Sequence, residues 1–264
     1  MIDLPDPAGW QPLGGGSICA VHAAELADGS PVVIKQTPYD PRIEADGLAA
    51  LRAAGAPVPA VLAAEGDLLV LERVPDGPGP PTAADWEALG TALAELHRTT
   101  ATAYGWHCDN LIGSLPQRNG WWESWPQFYA EQRLRPWLAA PALPAALRRR
   151  LERALDGPLH DLLPEQPPAS LVHGDLWSGN VVGGRWLIDP AVCHADREYE
   201  LAFMDVFGGF PKTLWDAYTA TWPLASGWRE RRPALQLYHL LVHVQLFGAG
   251  YAGAVASRLD AVGW

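Results

Sequence analysis

The string His173-Gly174-Asp175-Leu176-Trp177-Ser178-Gly179-Asn180, followed by Ile188-Asp189-Pro190, governs how the rest of the chain is read. Asp175 supplies a candidate general base. Asn180 and the later Asp189 supply two hard oxygen donors, the kind Mg2+ uses alongside phosphate oxygens rather than a full protein cage. A base and two such ligands near one point are what phosphoryl transfer to a hydroxyl requires. Asp, Ser and Asn are also common turn formers, so any one of them alone would imply no more than a loop. The ordered string as a whole favours chemistry.

Working outward, Leu171-Val172-His173 and Val181-Val182, a Gly183-Gly184 turn and Arg185-Trp186-Leu187-Ile188-Asp189 make 171–190 a strand-rich stretch. The pattern around it is helical. Thr82 or Asp85 can cap a helix through Trp86, Leu89, Leu93 and His97, and further helices are expected near 123–138, 142–156, 197–205, 211–221 and 229–247. Upstream, Gly14-Gly15-Gly16-Ser17 precedes a hairpin whose second arm is Pro31-Val32-Val33-Ile34-Lys35. A helix over 41–54 carries Glu44, and Leu68-Leu69-Val70-Leu71 reads as a buried strand. The Pro- and Gly-rich run 75–81 can form neither a helix nor a central strand and marks a boundary. The expected fold is α+β and two-lobed, with a nucleotide-binding lobe over 1–74 and a mainly helical catalytic lobe over 75–264.

Within the first lobe, Lys35 on its strand and Glu44 on the next helix suit a lysine that reaches nucleotide phosphates while a carboxylate holds it, with Asp46 and Glu65 as competing partners. Gly14, Gly15, Gly16 and Ser17 would let backbone N–H groups approach an anion. Before the boundary, Glu72 and Val74 are placed to offer backbone groups to an adenine edge.

A formal charge of −11 opposes binding to nucleic acid or anionic membranes and weakly favours a cationic substrate. No apolar run approaches the roughly 20 residues of a membrane span, and Met1-Ile2-Asp3 does not open a signal segment, so a cytoplasmic location is the default. The oligomeric state is not legible in the sequence, and a monomer is the expectation. Cys19, Cys108 and Cys193 are too scattered for a disulfide framework or a CxxC site. Trp106, Trp121, Trp122, Trp125 and Trp137 read mostly as core packing, with a ligand-stacking wall as the alternative. Of the histidines, only His239 and His243 stand four apart on a helix, and no glutamate completes a metal motif around them.

The glycine loop, strand lysine, helix glutamate, connector, HGDxxxxN string and later Asp resemble the protein-kinase-like fold, in its small-molecule branch with aminoglycoside and choline kinases. More closely, HGDLWSGN, Ile188-Asp189-Pro190-Ala191, and Glu200-Leu201-Ala202 through Phe207-Gly208-Gly209-Phe210-Pro211 resemble the fructosamine kinase (ketosamine 3-kinase) family. So do Tyr104-Gly105-Trp106 through Gly113 and Gln117 through Trp121. The resemblance implies ATP and Mg2+ as cofactors, and a sugar-amine substrate, free or as an adduct on a glycated protein, phosphorylated at its 3-hydroxyl. Where protein kinases have an Arg before the catalytic Asp, position 174 is Gly, and only a short segment follows Asp189. Control through an activation loop is therefore not expected.

Trp177 is a candidate to flank the sugar, and Asp196 and Glu198 to meet a cationic substrate. His173 and Glu200 are read as bracing the catalytic loop. Competing readings are a kinase of the same fold acting on an aminoglycoside, choline or homoserine, and a non-catalytic nucleotide-binding scaffold.

Overall fold

The computed structural model describes residues 4–14, 19–75, 77 and 79–264, so Gly15, Gly16 and Ser17 of the expected phosphate loop lie outside the described residues. Strand β1 (Gln11–Pro12), β2 (Ala20–Glu25) and β3 (Pro31–Gln36) lead to helix α1 (Arg42–Ala53), then β4 (Val61–Glu65) and β5 (Leu68–Glu72). They form one antiparallel sheet in the order β1-β2-β3-β5-β4. The β2–β3 hairpin turns at Asp28-Gly29, where Gly29 has φ +85° and Asp28 accepts the Ser30 N–H. β-Branched Val32 and Ile34 of β3 are fully buried and pack with Val70 of β5 on the face away from α1. Helix α1 turns Leu48 and Leu51 into the main core. Gly47 on the same helix brings its backbone against Val192.

The second lobe opens with α2 (Ala83–His97), which Thr82 and Asp85 start as a reciprocal capping box. Short strands β6 (Thr100–Ala101), β7 (Tyr104–Trp106), β8 (Asn110–Ile112), β9 (Leu115–Gln117) and β10 (Gly120–Trp122) follow, then α3 (Trp125–Phe128), α4 (Ala145–Leu155) and α5 (Pro158–Leu162). The chain goes on through β11 (Ala169–Val172), the hairpin β12 (Val181–Val182) and β13 (Trp186–Leu187), and β14 (Cys193–Asp196). It then runs through α6 (Arg197–Met204), α7 (Lys212–Thr221), α8 (Trp228–Leu235), α9 (Leu237–Phe247) and α10 (Ala252–Ala261). A second five-stranded sheet has the order β10-β7-β14-β11-β6.

That sheet corrects the expectation that 171–190 is the only strand-rich stretch of this lobe. Its partners are two to four residues long, too short to show an alternating pattern. The helix expected over 123–138 is α3 followed by a π-helical segment, Tyr129–Leu134, and a 3₁₀ turn, Arg135–Ala139. The helix expected over 229–247 is two helices, α8 and α9, meeting at Gln236. Pro233 removes an N–H inside α8 and crowds the preceding turn. Trp106, Trp125 and Trp137 are buried, Trp122 is half-buried and Trp121 is exposed, so packing accounts for most of the tryptophan cluster.

Candidate active site

Strand β11 is buried along its whole length and leads through the buried His173 to Asp175, which lines a cavity between the two lobes. The turn after it is fixed from several sides. Gly174 has φ +85°, and a side chain there would stand 2.0 Å from the Ala191 carbonyl. Its N–H donates to Glu200 Oε1 at 2.7 Å, and its carbonyl accepts from His239 Nε2 at 2.8 Å. Glu200 Oε2 also accepts the His173 N–H at 3.2 Å and faces His97 Nε2 at 3.0 Å. His173 donates from Nε2 to the Ile188 carbonyl and accepts the Asp175 N–H at Nδ1, which joins the catalytic turn to the residue that follows β13. Burial lowers the pKa of His173, consistent with this neutral bridging tautomer.

Burial pushes the Asp175 carboxyl up to about 8, and the nearby Asp189 charge adds to the shift. Asn180 Nδ2 donates to the Asp175 carbonyl at 2.8 Å and to Asp175 Oδ2 at 3.3 Å, which turns the Asn180 amide oxygen away from that contact. Asp189 has φ +58° and is the one non-glycine with positive φ among the described residues. Its half-exposed carboxylate meets Lys35 Nζ at 2.6 Å. A carboxylate in a costly backbone conformation at a cleft is a common mark of a functional position.

Lys35 also pairs with Glu44 Oε1 at 2.6 Å, so Glu44 takes the place for which Asp46 and Glu65 competed. Burial opposes the Lys35 charge, but the Glu44 and Asp189 carboxylates outweigh it and hold the ammonium pKa above its ordinary value. Asp175, Asn180, Asp189, Lys35, Glu44 and Trp177 all line one cavity. Asp189 and Asn180 present two hard oxygens there, a donor set that fits Mg2+ completed by water and phosphate oxygens.

Trp177 is 42% exposed, and its ring lies across Gly179, where any side chain would collide with it. Gly209 of the Phe207–Pro211 loop has φ +91° and packs against Ser178, so that loop buttresses the same turn. Two of the expected substrate residues are elsewhere. Asp196 is buried and caps α6 by accepting the Glu198 N–H at 3.0 Å. Glu198 is buried against Arg231, with contacts of 2.7 and 2.8 Å. Neither carboxylate lines the cavity, because Asp196 is held as the cap of α6 and Glu198 by Arg231 of α8.

Glu72 and Val74 also lie outside that cavity lining. The Glu72 N–H donates to the Ala60 carbonyl and its side chain accepts the Ala60 N–H. Gly14 sits in a turn after β1, away from the same lining.

The sequence reading passed over other parts of the site. Leu111, Ile112 and Gly113 form one wall. Cys19 lines the cavity with Tyr39, its sulfur 3.2 Å from the Tyr39 hydroxyl. His239 and His243 have separate tasks. The first holds Gly174 and stacks on Phe203 at 3.6 Å, while the second reaches the cavity beside Phe247. Their spacing of four on one helix was the available clue.

A family model described as fructosamine kinase matches residues 15–262. A probable ketoamine kinase of Enterococcus faecium is 37% identical over 204 residues, covering 74% of this chain and 72% of that protein. Another, of Lactiplantibacillus plantarum, is 34% identical over 274 residues, covering 96% of this chain and 94% of that protein. A Thermobifida fusca crystal structure named for a fructosamine-3-kinase superposes with a TM-score of 0.88 at 36% identity, covering 99% of this chain and 94% of that one.

Proposed function

Because the chain belongs to the fructosamine kinase family, we propose that it transfers the γ-phosphate of ATP to the 3-hydroxyl of a ketosamine, a fructosamine or ribulosamine, with Mg2+ as the metal. Phosphotransferase activity of the ketoamine kinase type and the two-lobed kinase-like fold come with that membership. The division at 74/75 into a nucleotide-binding and a catalytic lobe is part of the same reading. The observation that carries it is the convergence of Asp175, Asn180, Asp189 and Lys35, which come from both lobes, on one cavity.

In this reading Asp175 orients the sugar hydroxyl and accepts its proton as the oxygen bonds to the γ-phosphorus and the bond to ADP breaks. Lys35 meets the phosphates while Glu44 keeps its ammonium charged and aimed. Asn180 and Asp189 would hold Mg2+, which when bound offsets the negative charge shared by the β- and γ-phosphates. Trp177 offers a flat apolar face beside the base, suited to a sugar ring. Only Pro190–Val192 separate Asp189 from β14, too little chain for a protein-substrate platform, which supports a small molecule or a small adduct projecting from a protein.

The test is ADP release on synthetic fructosamine and ribulosamine, compared with an aminoglycoside, choline and homoserine, with the phosphorylated carbon located by NMR. Turnover on a ketosamine with phosphate on the 3-oxygen is the expected result. Activity confined to the aminoglycoside would overturn the substrate assignment.

A further inference from the structure

His107 and Cys108 have no metal spacing along the chain, but the fold brings them a third ligand from the other lobe. Helix α1 passes the segment that follows β7, and Asp46 faces that segment. The Trp106 indole N–H donates to Asp46 Oδ2 at 2.8 Å, fixing the carboxylate as outer contacts fix metal-binding carboxylates. His107 Nε2 lies 3.4 Å from the same oxygen. One donor atom from each of Asp46, His107 and Cys108 lies within 4.8 Å of the others.

We propose that Asp46, His107 and Cys108 form a binding site for a thiophilic divalent cation of the Zn2+ class, bridging α1 and the segment after β7. A thiolate, an imidazole and a carboxylate are the donors Zn2+ takes, whereas Mg2+ and Ca2+ take oxygens almost alone. Tetrahedral Zn2+ would hold these atoms about 3.3–3.6 Å apart. His107 and Cys108 are exposed, so rotamer changes suffice to draw them in. Cys108 is a free thiol; partial burial and the Asp46 and Asp109 charges push its pKa up, which a bound cation would reverse. The fourth position is left to water. This site is separate from the kinase reading: Asp46 is two residues from Glu44 and points to the other side of α1, so an ion there would tie the helix that places Glu44 to the opposite lobe.

The test is titration of the metal-free full chain with Zn2+ against a chromophoric chelator, repeated with Co2+ as a spectroscopic probe. One equivalent should bind, and His107→Ala and Cys108→Ser should each weaken binding at least tenfold. The Co2+ complex should show a thiolate charge-transfer absorption that Cys108→Ser removes. Asp189→Asn should leave both readouts intact. Absence of stoichiometric binding, unchanged affinity in Cys108→Ser, or loss of binding in Asp189→Asn would each overturn the proposal, the last by moving the ion to the phosphate site.

Discussion

Asp175 and Asp189 are both acidic residues in the same cavity, yet their surroundings suit them to different tasks. Asp175 is crowded, carries an Asn180 contact and is pushed up to about 8, whereas Asp189 is half-exposed and paired with Lys35. Asp175→Asn is expected to lower turnover by about 10²–10⁴-fold while nucleotide affinity stays nearly unchanged, since the substitution removes a proton acceptor and no phosphate contact. Steady-state ADP release together with fluorescent-nucleotide binding checks both halves, and unchanged turnover would remove Asp175 from the role of base.

The same carboxyl makes stability depend on pH. Its folded pKa lies above the unfolded value near 4, so the folded state binds the proton more tightly. The stabilisation is complete below about pH 4 and is lost as pH rises through about 8. In metal-free buffer, the melting temperature of the Asp175→Asn protein should gain on that of the unsubstituted protein between pH 4 and 9. A constant difference across that range would mean the group titrates near its ordinary value.

Elements meet closely where glycine allows it. In α2, a methyl group at Gly90 would stand 2.3 Å from the Leu214 carbonyl of α7, so the two helices touch backbone to backbone. Gly90→Ala improves helix propensity but forces α7 outward, and overpacking of this kind costs about 1–3 kcal/mol. A lower denaturant midpoint at unchanged slope is the expected result, and a stabilised variant would show that α7 yields freely.

The same scale shows what the sequence could reveal. α2 and α1 are long enough for their apolar spacing and caps to be legible, and the β2–β3 hairpin announced itself through Asp28-Gly29 and a β-branched arm. The second sheet stayed hidden because β6 pairs with β11 and β7 with β14 across 68 to 89 residues, and none of these strands is longer than four. Of the site, HGDLWSGN and Lys35 were legible because chemistry fixes their residue types and order. Asp196 and Glu198 misled because a carboxylate near a metal ligand in sequence looks the same whether it faces the cavity or caps a helix. The task of His239 was not legible in its spacing from His243, since only the folded chain shows it holding the Gly174 carbonyl.

Across the whole molecule, Lys35 Nζ is the point where the first sheet, helix α1 and the catalytic hairpin are joined, through Glu44 and Asp189. Lys35 and Glu44 are buried and Asp189 is not, so losing the lysine affects its two partners differently. Water can solvate Asp189, but Glu44 would be left as a buried carboxylate without its cation, a loss that costs about 3–5 kcal/mol. Lys35→Met is therefore expected to destabilise the protein by that amount, and Glu44→Leu added to it should restore most of the loss although activity stays absent. Urea unfolding of the two single variants and the double variant measures the coupling directly. A double variant as unstable as Lys35→Met would mean that the loss does not come from stranding the Glu44 charge, and the ionic junction between the lobes would then matter for catalysis alone.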